Sequence, residues 1–307
     1  GVHSMTRFAD TIVPRRDSWS QMRAAFEWPL LDHFNMASAC VERWARQDPN
    51  RTALICPKDG ADTIEVSFLQ LNQFSNQFAN VLTTLGLAPG DRCAILLQQS
   101  LETAICHFGI YKCGGVALPL FTLFGADALE FRLQNSGAKM LVTDRANLHK
   151  VLEVRHNLPD LTTIFCIDGP IDGNQEGVRD FHTDLSLAGD HFQTVQTTPD
   201  DPALLVYTSG TTGPPKGALH GHRVLLGHLP CVELAHNFFP MQGDLQWTPA
   251  DWAWMGGLMN TMMPSLYYGV PVVAYRMGKF DPEKVYALIE RFSIRNAFLP
   301  PTALKLM

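Results

Sequence analysis

Tyr207–Gly217 reads YTSGTTGPPKG and crowds four Ser/Thr hydroxyls, three glycines, two prolines and a lysine into one short stretch. It follows the apolar run Ala203–Val206, which has the pattern of a buried strand. A loop of this make-up suits phosphate. Gly210, Gly213 and Gly217 let the backbone turn sharply and bring bare N–H groups close to an anion. Thr208, Ser209, Thr211 and Thr212 add hydroxyl donors, and Lys216 adds a point charge. Pro214–Pro215 stiffens the exit and removes two competing N–H groups. A Walker A loop is excluded, because Lys216 stands between Pro215 and Gly217 instead of preceding Ser or Thr. A surface turn explains Ser-Gly-Thr-Thr-Gly by itself, but not with Pro-x-Lys-Gly at fixed offsets behind a strand.

A second cluster invites a metal reading. His220, His222, His228 and His236 place four of the eleven histidines close together. Gly221 interrupts the close pair, so capping and surface exposure explain them better and no metal site is expected. Arg223 fits either a phosphate contact or a surface ion pair. Asp91 and Lys112 read as structural turn residues.

The elements that must position the loop alternate. Phe68–Leu85 carries Leu71, Phe74, Phe78, Leu82 and Leu85 at spacings of three and four, which predicts a helix capped by Ser67 and ended by Gly86. Arg92–Leu97 is a short continuous apolar run, the pattern of a strand buried on both faces. Helices near Leu101–Lys112, Asp127–Gln134 and Ala146–Asn157 then alternate with strands Val116–Leu120, Lys139–Thr143 and Thr163–Ile167. This order implies an α/β fold with a largely parallel sheet. Asp168–Asp201 is rich in Asp, Gly and Thr and reads as a long connection. Alternation resumes with strand Ala203–Tyr207, a helix from about Gly221 to His236, and strands near Leu245–Thr248 and Val270–Ala274. A helix at Asp281–Phe292, a strand at Asn296–Leu299 and a helical start at Pro300 follow. The expected division is therefore 5–170 as one α/β lobe, 171–201 as connection, and 202–307 as a second lobe carrying the loop.

Composition narrows the function classes. With 307 residues, 46% of them hydrophobic and 18% charged, the chain is long enough for two lobes and a large core. A net charge of −6 argues against nucleic acid as a partner. Seven scattered cysteines, an odd number without a Cys-x-x-Cys pair, favour reduced thiols and a cytoplasmic setting. The most apolar stretch, Trp254–Tyr275, is broken by Asn260, Pro264, Gly269 and Pro271, so no membrane span is expected. No secretory or transit segment stands out, and Gly1–Ser4 ahead of Met5 reads as a cloning remnant.

YTSGTTGPPKG resembles the signature loop of the adenylate-forming superfamily, which includes acyl-CoA synthetases, peptide-synthetase adenylation domains and firefly luciferase. LGLAPGDRCAILL (Leu85–Leu97) and KCGGVALPL (Lys112–Leu120) resemble two upstream motifs. WTPADWAWMGG (Trp247–Gly257) and FLPPTALKLM (Phe298–Met307) resemble segments of the short- and medium-chain acyl-CoA synthetase branch, with Lys305 where Arg is usual. The resemblance covers Leu30 to Met307. It implies two largely parallel-sheet lobes of an N-terminal domain, and a reaction in which a carboxylic acid, ATP and coenzyme A give an acyl thioester through an acyl-adenylate. It implies that Thr208, Ser209, Gly210, Thr211, Thr212, Gly213 and Lys216 hold the β- and γ-phosphates, with Lys216 catalytic. It also implies that Trp254, Met255 and Gly256 line the acyl pocket, whereas Trp252 fits core or pocket equally.

The family's Tyr-Gly-x-Thr-Glu segment, its ribose-binding aspartate and its C-terminal lobe with a catalytic lysine have no counterpart here. The chain therefore reads as a front half, truncated before the C-terminal lobe, with the Mg2+ ligand outside it. By itself this half is expected to be inactive. An aryl-acid CoA ligase, or a fragment that binds nucleotide or acyl ligand without turnover, are the alternatives, and the oligomeric state is open.

Overall fold

The computed structural model describes residues 11–169 and 177–307. Gly1–Ser4, and residues 170–176 at the start of the expected connection, lie outside the described residues. The strands are β1 (Thr52–Lys58), β2 (Ala61–Ser67), β3 (Arg92–Leu96), β4 (Val116–Pro119), β5 (Met140–Thr143) and β6 (Thr163–Cys166). They continue with β7 (Val178–Asp180), β8 (Pro202–Thr208), β9 (Lys216–Gly221), β10 (Gln246–Trp247), β11 (Val272–Val273) and β12 (Asn296–Ala297). The helices begin with α1 (Trp19–Ala25), α2 (Arg43–Gln47), α3 (Phe68–Thr84), α4 (Leu101–Lys112), α5 (Ala126–Ser136) and α6 (Arg145–Val154). They end with α7 (Phe181–Leu187), α8 (Val224–Ala235), α9 (Met255–Gly257), α10 (Met263–Tyr267), α11 (Pro282–Phe292) and α12 (Pro301–Leu306).

Two sheets form, both mostly parallel. One has the order β7-β6-β5-β3-β4-β8-β9, the other β12-β10-β11-β1-β2, and only β9 and β2 run antiparallel to their neighbours. The apolar run at β3 works as its pattern predicts. Cys93 and Ile95 point into a core shared with α3 and α4, while Ala94 and Leu96 point into a second core with α5 and α6. The first core also takes Leu54 and Val272 from the other sheet, so α3 and α4 fill the space between the sheets. Nearly every residue of α4 is buried, as a helix between two sheets requires. A third core, with Trp247, Val273, Val285 and Leu288, seats α11 on the far face of the five-stranded sheet.

Caps fall where the sequence puts them. Ser67 and Gln70 form a reciprocal capping box on α3, and Asp281 caps α11 ahead of Pro282.

The linear division at 170 and 202 does not match the partition of strands. β8 and β9 complete the first lobe's sheet beside β4, and β1–β2, early in the chain, pair with β11 in the other sheet. The stretch read as a connection carries β7 and α7, with Phe181 and Leu185 buried in the core between the sheets. Buried apolar side chains at that spacing outweigh its turn-rich composition. The helix expected from Gly221 begins at Val224, because Lys216–Gly221 pairs along β8 from Thr208 to Pro202.

Candidate active site

In the seven-stranded sheet β3, β4 and β8 are parallel, so their carboxyl ends share one edge. The helix after β3 packs on the inner face and the helix after β4 on the outer face, which opens a crevice above these two strands. Two loops of the expected chemistry and a third, aromatic one follow strands at this edge.

The first is the hydroxyl-rich loop, which is the tip of the β8–β9 hairpin. Thr208 faces Lys216 across the pair, and residues 208–214 are all exposed. Gly210 and Gly213 adopt φ of 57° and 77°, the left-handed region that side chains avoid. The loop thus offers its hydroxyls and N–H groups to solvent, with exposed Lys216 at its base. Behind it Tyr207 is anchored: its hydroxyl donates to Asn135 Oδ1 at 2.6 Å, and its ring meets Phe131 edge-on. Burial pushes the Tyr207 hydroxyl's pKa up, which keeps it a donor.

The second is the loop after β10. Thr248 Oγ1 donates to the Phe298 carbonyl at 2.7 Å and accepts from the Ala250 N–H. Asp251 accepts from the Ala253 N–H and from Arg276 at 2.5 Å. Burial raises its pKa, against the pull of these donors. These bonds orient the two tryptophans oppositely. Trp252 is 1% exposed and belongs to the core; Trp254 is 61% exposed on the crevice side. Met255 is half-buried, and Gly256 lies against the Phe298 ring.

The third loop follows β4 and was not singled out by sequence reasoning. The Phe121 ring meets Trp254 at 5.0 Å in a tilted arrangement and Phe124 edge-on at 5.2 Å. Gln99, just past β3, donates to the carbonyls of Thr248 (2.9 Å) and Ala250, tying the two sheets together at this edge. The one signal that could have found Phe121 and Gln99 is their position after the carboxyl ends of adjacent parallel strands.

The histidines do not converge. His222 is buried and accepts the Met36 N–H at 3.0 Å, and burial lowers its pKa to about 4. His228 meets Asn260, His236 meets Gln246, and His220 sits half-buried on β9. Among the described residues no three His, Cys, Asp or Glu side chains are grouped to hold a metal ion. Arg223 pairs with Asp200 at 2.5 Å on the surface, and Asp91 pairs with Lys139. Lys112 departs from expectation: it is not a turn residue but the fully buried last residue of α4. All seven cysteines are free thiols, and Cys231 is the exposed one. No helix among the described residues is long and apolar enough to cross a membrane.

These features define an α/β domain whose exposed hydroxyl-rich and aromatic loops follow the carboxyl ends of parallel strands, the place where ligands bind in such sheets. The AMP-binding enzyme family model matches residues 41–307, and the chain belongs to that family. It is similar to an acetyl-coenzyme A synthetase of Bacillus subtilis, at 27% identity over all of this chain and 52% of that protein. Among solved structures it resembles a Brucella canis acyl-CoA synthetase (TM-score 0.84, 28% identity, 95% of this chain and 53% of that one). It also resembles the anthranilate CoA ligase AuaEII, solved with anthranoyl-AMP (TM-score 0.79, 27% identity, 89% and 51%). The chain spans about half the length of the relatives it matches.

Proposed function

We propose that the complete protein is an acid–thiol ligase that activates a carboxylic acid with ATP and transfers the acyl group to coenzyme A. The observation that carries this reading is the convergence of the exposed hydroxyl loop and the Trp254 loop on one sheet edge. A carboxylate oxygen attacks the α-phosphorus, the α–β anhydride bond breaks, and pyrophosphate leaves with the electron pair. The coenzyme A sulfur then attacks the acyl carbon and AMP departs. In this reading Thr208, Ser209, Thr211, Thr212 and the N–H groups of Gly210 and Gly213 hold the β- and γ-phosphates. Lys216 neutralises charge that grows on the leaving pyrophosphate. Trp254, Met255 and Gly256 line the acid's site. The loop contains no carboxylate, so it is a poor Mg2+ site and its part is with the phosphates rather than the cation.

The acid is a short or medium aliphatic one in the first reading. An aryl acid is the second, favoured by the Trp254–Phe121 ledge on which a flat ring can stack. For residues 1–307 alone, nucleotide binding without turnover is the expected behaviour, since exposed donors at the loop compete with water.

Carboxylate-dependent exchange of labelled pyrophosphate into ATP tests the proposal, run on the full-length protein with aliphatic and aryl acids. Lys216→Ala should lower the exchange rate about a hundredfold. Exchange that no acid supports, or that the substitution leaves unchanged, refutes the assignment.

A further inference from the structure

Arg132 is a buried cation with an unusual set of neighbours. It is 8% exposed, and its Nη1 donates only to the Ala128 carbonyl of its own helix, at 2.9 Å. Its Nε is buried with no hydrogen-bond partner. Its guanidinium carbon lies 4.1 Å from the centre of the Phe124 ring and 5.9 Å from that of Tyr207. Among the described residues no carboxylate pairs with it, and burial lowers its pKa. Two aromatic faces therefore hold this charge in place.

Those two rings belong to different loops. Tyr207 is the residue before Thr208 and so forms the root of the hydroxyl loop; besides Arg132 it is held from α5 by Phe131 and Asn135. Phe124 leads through Phe121 to Trp254, with ring centres 5.2 and 5.0 Å apart. One continuous chain of contacts thus runs Trp254, Phe121, Phe124, Arg132, Tyr207. The tip of the hydroxyl loop is exposed and rich in glycine, so its placement depends on its root.

We propose that Arg132 is a positioning residue: clamped between Phe124 and Tyr207, it fixes the root of the hydroxyl loop relative to the Trp254 loop. The proposal rests on the phosphate-binding reading of Thr208–Lys216. Lys at this position keeps the charge but loses the flat guanidinium that reaches both rings; Met keeps length and loses the charge.

The test compares Arg132→Lys and Arg132→Met in the full-length protein with two readouts. In pyrophosphate exchange, Arg132→Met should raise KM for ATP about tenfold and leave KM for the acid within about twofold, with Arg132→Lys between. In limited trypsinolysis well below the melting temperature, cleavage after Lys216 should speed up several-fold while other sites keep their rates. Unchanged KM values, with kcat falling only in step with the folded fraction, would reduce Arg132 to a structural residue and overturn the proposal. So would unchanged cleavage after Lys216. If wild-type protein shows no acid-dependent exchange, the functional reading fails, and the proteolysis result still decides the positioning role. Should Arg132→Met not fold, Phe124→Leu, which removes the nearer of the two rings that hold the guanidinium, carries the same proteolysis test and should speed cleavage by less.

Discussion

Gly256 and Gly257 are adjacent on the loop after β10 but are glycine for different reasons. A Cβ at Gly257 would run into the backbone carbonyls of Asp251 and Ala250, which the loop's own hydrogen bonds fix. A Cβ at Gly256 would press on the edge of the Phe298 ring at 2.8 Å, a side chain that can tilt. Gly257→Ala should therefore cost about 1–3 kcal/mol in urea unfolding, as overpacking against fixed atoms does. Gly256→Ala should cost less and move the acid preference toward shorter chains, by about 1 kcal/mol per excluded methylene. Equal destabilisation by both, with no change across a chain-length series, would place the acid elsewhere. At this scale the sequence singles out residues that sit in a compact motif, and the structure leaves Thr208, Ser209, Lys216 and Trp254 exposed. It left Trp252 undecided, because burial depends on the turn that Asp251 imposes. Phe121, Gln99 and Arg132 were not legible, since each acts through neighbours brought close only by the sheet.

Lys112 shows how one buried charge joins three elements. At the end of α4 it is 0% exposed, and its Nζ donates to Asn72 Oδ1 and Asn76 Oδ1, both at 2.6 Å, on α3. Glu42, ahead of α2, stands 4.0 Å away. Burial pushes its pKa down to about 7, with Glu42 opposing. The folded chain therefore releases a proton that the unfolded chain keeps up to about 10.5, so this group's term makes stability rise with pH across that window. Relative to Lys112→Met, wild-type protein should gain about 2 kcal/mol between pH values of about 7 and 9, read from urea midpoints. Parallel pH profiles would mean that the cage keeps Lys112 charged throughout. Strands buried on both faces, β3 to β6, and α3 with its apolar stripe were legible at nearly their observed bounds. β9 was not, because half-exposed Lys216–Gly221 carries two glycines and no alternation, and its partner is chosen by the hairpin. β1 and β2 were missed for a similar reason, as β2 is mostly exposed.

The path of the chain makes the two sheets interdependent. β1 lies between β2 and β11, so the five-stranded sheet needs strands from near both ends of the chain. The seven-stranded sheet needs β8, which pairs with β4 from beyond the expected boundary. The helical layer between them is one core, in which Phe78, Ile105 and Phe165 are buried with Leu54, Leu229 and Val272. A linear reading divides a chain where composition shifts, and here composition shifts inside a structure that is wound back on itself. A chain ending at Asp201 would lose β8 and β9 from one sheet and β10 to β12 from the other, and would bare the apolar face of β1 and α3. We expect such a piece to bind a hydrophobic dye, to show poorly dispersed amide signals and to self-associate. Residues 1–307 should instead unfold in urea as one unit, with tryptophan fluorescence and far-ultraviolet circular dichroism giving coincident transitions. Two separated transitions, or a well-dispersed spectrum from the piece ending at Asp201, would show that the lobes fold independently and that the shared helical layer does not couple them.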